Sequence, residues 1–196
     1  MQFFTIEHSK AAHRTDFALY GTMVVVLAAF LLVYGPREQR FEIAAVALAG
    51  LASWSAIEYV LHRFVLHGLQ PFSRLHAEHH QRPTALIFTP TILSATAIAA
   101  LVFIPALLVA DLWRACALTL GVLTGYVGYT ITHHAIHHWR TDNSWLKQRK
   151  RWHALHHHSI QQPGYYGVTS SFWDHVFGSN RRVVTPEAVD KDHNAY

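Results

Sequence analysis

Residues 115–138 read ACALTLGVLTGYVGYTITHHAIHH, an uncharged apolar run that passes directly into four histidines. A bilayer core about 30 Å thick is crossed by about 20 helical residues, so the stretch from about 115 to 132 predicts a membrane span with His133, His134, His137 and His138 at its end. Gly121, Gly125 and Gly128 have the spacing of small residues that let membrane helices approach closely. Three further runs have the same character. One covers 17–34, between Asp16 and Gly35-Pro36-Arg37; another covers about 43–61 and carries Glu58 near its end. The third covers about 85–108, with Pro90 near its start and Pro105 near its finish, and is long enough to span with tilt or a kink. The expected fold is an all-α integral membrane protein: four transmembrane helices with a cytosolic, helical, histidine-rich cap formed by about 62–82 and 133–180. Residues 1–196 read as one domain, and 181–196 as an exposed, mobile tail.

Composition agrees. Of 196 residues 51% are hydrophobic and only 14% charged, and long uncharged stretches alternate with short basic, histidine-rich ones. In such a chain a net charge of +4 points to cytoplasmic loops and anionic headgroups rather than nucleic acid. The single cysteine, Cys116, lies in an apolar run and rules out an internal disulfide. The N-terminal MQFFTIEHSKAAHRTD has no basic start followed by an apolar run and a cleavage site, so no cleaved signal peptide is expected. If the N-terminus is inside, Arg37, Arg40 and Arg114 lie outside and the other thirteen of the 16 Lys and Arg residues lie inside, Lys147, Arg149, Lys150 and Arg151 among them. The same topology puts both termini and every histidine cluster on the cytosolic side, so the positive-inside rule and the gathering of the histidines agree. Glu58 reads equally as a polar residue lining an internal site or as a carboxylate at the headgroup level.

The histidines fall in HRFVLH (His62, His67), HAEHH (His76, His79, His80), HHAIHH and HALHHH (His153, His156, His157, His158). On a helix, positions i, i+3 and i+4 share a face, so HAEHH and HALHHH each present three imidazoles together. HHAIHH offers two pairs, His133 with His137 and His134 with His138, and spacing does not choose between them. His62 and His67 are five apart, off-register for one helical face, and Gly68 marks a helix end there. Neutral imidazole is the commonest protein ligand for iron, zinc and copper. About ten imidazoles are too many for one ion, so two metals sharing the set is the economical reading. The polar region has no cysteine, which removes iron–sulfur and Cys-containing zinc sites, and leaves Glu78, Asp142 or Asp174 at most to orient ligands from behind. His8, His13, His175 and His193 read as satisfied interfacial polar groups, and His138 and His158 as orienting or solvent-facing. Residues 144–159 read as a helix broken by Pro163-Gly164, and SSFWDHVFG as a short interfacial segment with aromatic anchors.

HRFVLH, HAEHH, the Thr-His-x-x-x-His-His run and HALHHH, in this order and separated by spans, resemble the fatty acid hydroxylase superfamily of membrane di-iron oxygenases. The resemblance covers about residues 58–179, and EYVLHRFVLH with HALHHHSIQQPGYYGVTSSFWDHVFGS is most similar to the fatty acid 2-hydroxylase branch. It implies that His62, His67, His76, His79, His80, His133, His137, His153, His156 and His157 hold two iron ions, and it selects His133 and His137 in HHAIHH through the match of Thr132-His133. His134 and His138 are left in a supporting role. The implied activity is O2-dependent hydroxylation of a fatty-acyl chain, free or in a membrane lipid, at the carbon next to the carbonyl. Tyr165, Tyr166 and the Gly167-Val168-Thr169-Ser170 loop, close after the last ligand helix, are expected to cover the site. Eukaryotic members of the branch often carry a fused haem-binding domain, for which this chain has no room. Electrons from NAD(P)H are therefore expected to arrive through a separate electron-transfer protein, and by the affinity order zinc can take the place of iron in a purified sample. Two other readings stand beside this one: a sterol or carotenoid hydroxylase or desaturase of the same superfamily, and a membrane metal transporter or sensor. Against the latter, spans one, three and four have few polar residues at mid-membrane.

Overall fold

The computed structural model describes residues 7–158 and 164–180. Helix α1 (Lys10–Tyr34) starts at Ser9, whose side chain accepts from the Ala12 N–H. A single 3-10 turn (Arg37–Gln39) leads into α2 (Arg40–Val60), which continues as a π-helical turn over Leu61–Leu66. Helix α3 (Phe72–Gln81) follows; α4 (Thr91–Ile98) and α5 (Ile104–Val109) are joined by a second π-turn, Ala99–Phe103. Helix α6 (Leu112–His138) is capped by Asp111, and α7 (Ser144–His158) and the short α8 (Phe172–Val176) complete the order. There is no named strand among the described residues, only a bridge between Glu7 and Ile87.

Among the described residues, four helices are long and apolar enough to cross a membrane: Lys10–Tyr34, Arg37–Leu66, Thr91–Val109 and Leu112–His138. Their outward faces carry large apolar side chains with nothing over them, such as Leu101 at 76% exposed and Leu108 at 79%. In water such a surface would be a liability, whereas lipid covers it without cost. The bundle is a membrane protein's, with α6 at its centre.

The expected spans differ from the helices at their ends. Span one begins seven residues earlier than 17, because Ser9 caps the helix and polar His13 and Asp16 find partners in His134 and Thr91. Span three does not begin at 85, because residues 85–90 are not helical and Pro90 precedes the first turn of α4. Pro105 sits at the start of α5 just after the π-turn, so its missing N–H breaks no regular ladder. Span four does not stop at 132 but runs unbroken through His138. The proposed tail 181–196 and His193 lie outside the described residues.

Helix α6 packs most extensively on α2. A Cβ on Gly121 would stand 2.0 Å from the Ala47 carbonyl oxygen and 2.9 Å from Gly50 Cα, so the two backbones touch there. One turn on, Gly125 accommodates the Trp54 ring, where a Cβ would come within 2.4 Å. Gly128 has nothing within 4 Å and takes no part in the contact, against the expectation from spacing. At one end of the bundle Leu31, Ile43, Cys116 and Ala117 form a buried cluster, with Trp113 stacked on Phe30. At the other end Ala135, Ile136, Leu146 and Val168 pack together beneath the histidines. Gly121→Ala should lower stability by about 1–3 kcal/mol through overpacking, read as an earlier thermal loss of the monodisperse peak in detergent. Gly128→Ala should leave that peak unmoved.

Candidate metal centre

The π-turn resolves the register of the first motif. A regular α-helix would turn His62 and His67 to different faces, but the His67 N–H donates to the His62 carbonyl five residues back at 3.2 Å, widening the turn. The two rings then lie with centroids 5.3 Å apart. Helix α3 brings His76, His79 and His80, the last turn of α6 brings His133 and His137, and α7 brings His153, His156 and His157.

These side chains meet in two groups. His62, His67, His76, His80 and His156 form one and His79, His133, His137 and His153 the other, each offering one nitrogen within 4.8 Å of all the rest. His157 lies between the two, its Nε2 3.0 Å from that of His153 and its ring stacked on His80 at 4.2 Å. Nitrogen pairs approach closely: His62 to His76 at 3.0 Å, His80 to His76 at 3.1 Å, His67 to His156 at 3.1 Å and His137 to His153 at 2.9 Å, all between Nε2 atoms. Two ligand nitrogens each about 2.1 Å from an ion and at right angles are about 3.0 Å apart.

A neutral imidazole has one N–H and one lone pair. His62 donates its Nδ1–H to the Tyr166 carbonyl at 2.5 Å, and His156 its Nδ1–H to the Gly164 carbonyl at 2.8 Å. Their Nε2 lone pairs therefore point into the cluster. Both ring nitrogens of His79 and the Nδ1 atoms of His80, His153 and His157 are buried without a hydrogen-bond partner among the described residues. A second proton does not charge these rings. Burial, reinforced by neighbouring imidazoles, holds His67 at about 4 and His80 at about 3, and pushes His76, His153 and His156 well under the ordinary histidine range. Convergent, uncharged imidazoles with orphaned nitrogens fit a metal ion.

The other expected residues fall differently. Glu78 is half-exposed and pairs with Arg82, and Asp142 is fully exposed and pairs with Lys147; each is held by a nearby cation on its own surface, so neither orients an imidazole. His134 and His138 stack on each other, and His134 meets His13 at 3.1 Å, because they point toward α1 rather than α7. His175 is satisfied by the Ser171 carbonyl. Asp174, fully buried, accepts from the Tyr166 and Gly167 N–H groups and so holds the loop behind His62. Tyr166 covers one side of the first group, its ring 5.5 Å from those of both His67 and His156. Tyr165 instead stacks at 6.4 Å on Trp152, and Thr169 bonds Glu58. Glu58 is buried at 3% exposure and receives the Val168 and Thr169 N–H groups at 2.5 and 2.9 Å. Its place one helical turn before His62 was the signal for it.

On the side away from Tyr166, a cavity of about 860 Å³ reaches both groups. Its wall includes His76, His79 and His133; Leu93, Phe88, Tyr126 and Tyr129 form its apolar length, and Arg74, Glu78 and Arg82 its polar rim. Tyr129 lies parallel to His133 at 5.8 Å.

The family model described as fatty acid hydroxylase matches residues 47–179, which contain both groups and the loop. The chain belongs to the fatty acid hydroxylase family. It is 39% identical over 159 residues to a dihydroceramide fatty acyl 2-hydroxylase of Arabidopsis thaliana, covering 70% of this chain and 61% of that protein. It is 29% identical to the fatty acid 2-hydroxylase of Homo sapiens, covering 84% of this chain and 46% of that one. The chain thus spans less than two thirds of the length of these relatives. The structure of full-length scs7p, in which only the hydroxylase domain is visible, superposes with a TM-score of 0.73 at 26% identity, covering 87% of this chain and 67% of that one.

Replacing His156 by Ala should lower the metal bound per chain, measured by elemental analysis of protein purified in detergent, whereas His134→Ala should leave it unchanged. A pH effect follows from the buried imidazoles of this hydroxylase-family fold. His67 and His80 titrate at about 4 and about 3 when folded, against 6.5 when free. As pH falls from 6.5 toward 4 the unfolded chain takes up protons that the folded one refuses, so stability drops through that window and is flat above it. Thermal melts of metal-free protein should show a lower midpoint at pH 5 than at pH 7.5, and little change between pH 7.5 and pH 8.5.

Proposed function

We propose that the chain hydroxylates fatty-acyl chains, free or in membrane lipids, at the 2-position, using two iron ions held by the ten histidines. His62, His67, His76, His80 and His156 would hold one ion; His79, His133, His137 and His153, with His157 beside them, the other. When bound, the ions supply the redox chemistry with O2 that side chains lack: a C–H bond and O2, with two electrons and two protons, give C–OH and water. The electrons would come from NAD(P)H through a separate carrier protein. The observation that carries the substrate class is the cavity, whose apolar length meets imidazoles of both groups at one end of the bundle and whose rim is charged. An acyl chain fits such a wall while its polar end stays at the rim beside Arg74 and Arg82, which brings the carbons nearest the carbonyl toward His76 and His79. The similarity to proteins named for 2-hydroxylation supports the same position of attack.

The chain's own contribution is placement and dryness. Tyr129 and Phe88 border the acyl path, and Tyr166 closes the opposite side against water, leaving the ligating nitrogens in a low-dielectric pocket. By the distribution of Lys and Arg, the histidine end and both termini would face the cytosol.

Mass spectrometry of total lipids from cells expressing the chain tests the proposal against the His156→Ala/His157→Ala variant. Acyl chains carrying one added oxygen at the 2-position should appear only with the histidines intact. A new double bond, oxygen on a sterol or carotenoid, or unchanged lipids beside a confirmed electron donor would overturn it.

A further inference from the structure

Glu58 is a carboxylate near the end of a membrane-crossing helix, at 3% exposure. Burying a charge there is costly unless its lone pairs are satisfied. Three hydrogen bonds reach it from one loop: the Val168 N–H at 2.5 Å, the Thr169 N–H at 2.9 Å and the Thr169 hydroxyl. A second buried carboxylate, Asp174, takes the preceding N–H groups of that loop, Tyr166 at 2.8 Å and Gly167 at 2.9 Å, and the Ser179 hydroxyl at 2.7 Å. The loop is tightly wound. Tyr165 has a positive φ of 54°, and a Cβ on Gly167 would lie 1.8 Å from the Ser170 carbonyl oxygen.

What the loop presents is two carbonyls, those of Tyr166 and Gly164, each receiving the Nδ1–H of an imidazole in the five-histidine group. In that group the backing falls on His62 and His156 and not on His80, whose Nδ1 is buried without a partner; in the other group none is seen among the described residues, and His79 and His153 leave Nδ1 buried and unpartnered.

We propose that Glu58 is a positioning residue which, through the backbone of residues 164–169, fixes the tautomer and orientation of His62 and His156 and thereby sets the affinity of one metal position and not the other. The inference rests on the reading of the two groups as a two-metal centre. Backing hydrogen bonds of this kind are worth about 10–100-fold in metal affinity.

The test is a chelator-competed titration of purified full-length protein with Zn2+, resolving two sites per chain. Glu58→Ala should weaken one site about 10–100-fold and leave the other unchanged. Glu58→Gln keeps an oxygen for both N–H groups and should recover most of the loss. Thr169→Val removes a single hydroxyl contact and should shift the same site slightly, so the proposal stays testable if Glu58→Ala does not fold. Equal weakening of both sites, or two unchanged sites in all three folded variants, would overturn it. Wild-type protein that binds fewer than two ions would overturn the two-metal reading itself and this inference with it, an outcome separate from any behaviour of the variants.

Discussion

Ten imidazoles share one buried volume here, and they can do so only while uncharged. Every proton added to the cluster would be a charge taken out of water and set beside others of its sign, which is why His67 and His80 are held at about 4 and about 3. The same crowding that refuses protons brings Nε2 atoms to about 3 Å from one another. A proton shared across one such contact joins only two nitrogens, whereas a metal ion accepts several lone pairs at once. The rest of the fold serves to bring histidines from four helices to one level. Helix α6 reaches the level because it runs 27 residues, about 40 Å at 1.5 Å per residue, and so carries its last turn past the apolar core. Helix α2 reaches it alongside because Gly50 and Gly121 let the two backbones touch.

Much of this was legible in the sequence. Four apolar runs and the basic, histidine-rich stretches between them announce the bundle, because in lipid the hydropathy pattern answers to a solvent that tolerates nothing else. The triplets His76, His79, His80 and His153, His156, His157 are legible because α3 and α7 are regular helices whose period assigns a face. The pair His62 and His67 was not, since its spacing belongs to a wider turn that no periodic rule for an α-helix contains. The π-turn converts a separation of five into a shared face, a local departure from the preferred ladder kept at the place where two imidazoles must converge.

The supporting residues were the least legible. Glu78 and Asp142 looked suitable because they are near histidines in sequence, yet each turns outward to a cation within five residues. Asp174, named beside them, holds the loop from seven and eight residues away, and Glu58 reaches it across more than a hundred; the atoms that meet the imidazoles are backbone carbonyls, which carry no sequence signature. His134 and His138 show the same point from the other side. They have the spacing of ligands, but α6 turns them toward α1, where His134 meets His13.

The arrangement around the cluster is two-sided, and the asymmetry gives each side a task. On one side the loop of residues 164–170 is built from backbone hydrogen bonds to buried carboxylates, with the Tyr166 ring against His62, His67 and His156. A wall of that kind is rigid and dry, and it can orient ligands. On the other side, His76, His79 and His133 border a cavity lined chiefly by residues of α3, α6 and the segment 87–90. A wall of side chains adapts to a flexible acyl chain at small cost, because rotamers move without breaking backbone hydrogen bonds. Rigid backing behind the imidazoles and a yielding surface before them suit the proposed hydroxylation, in which the metal centre would stay where it is while the acyl chain is brought to it.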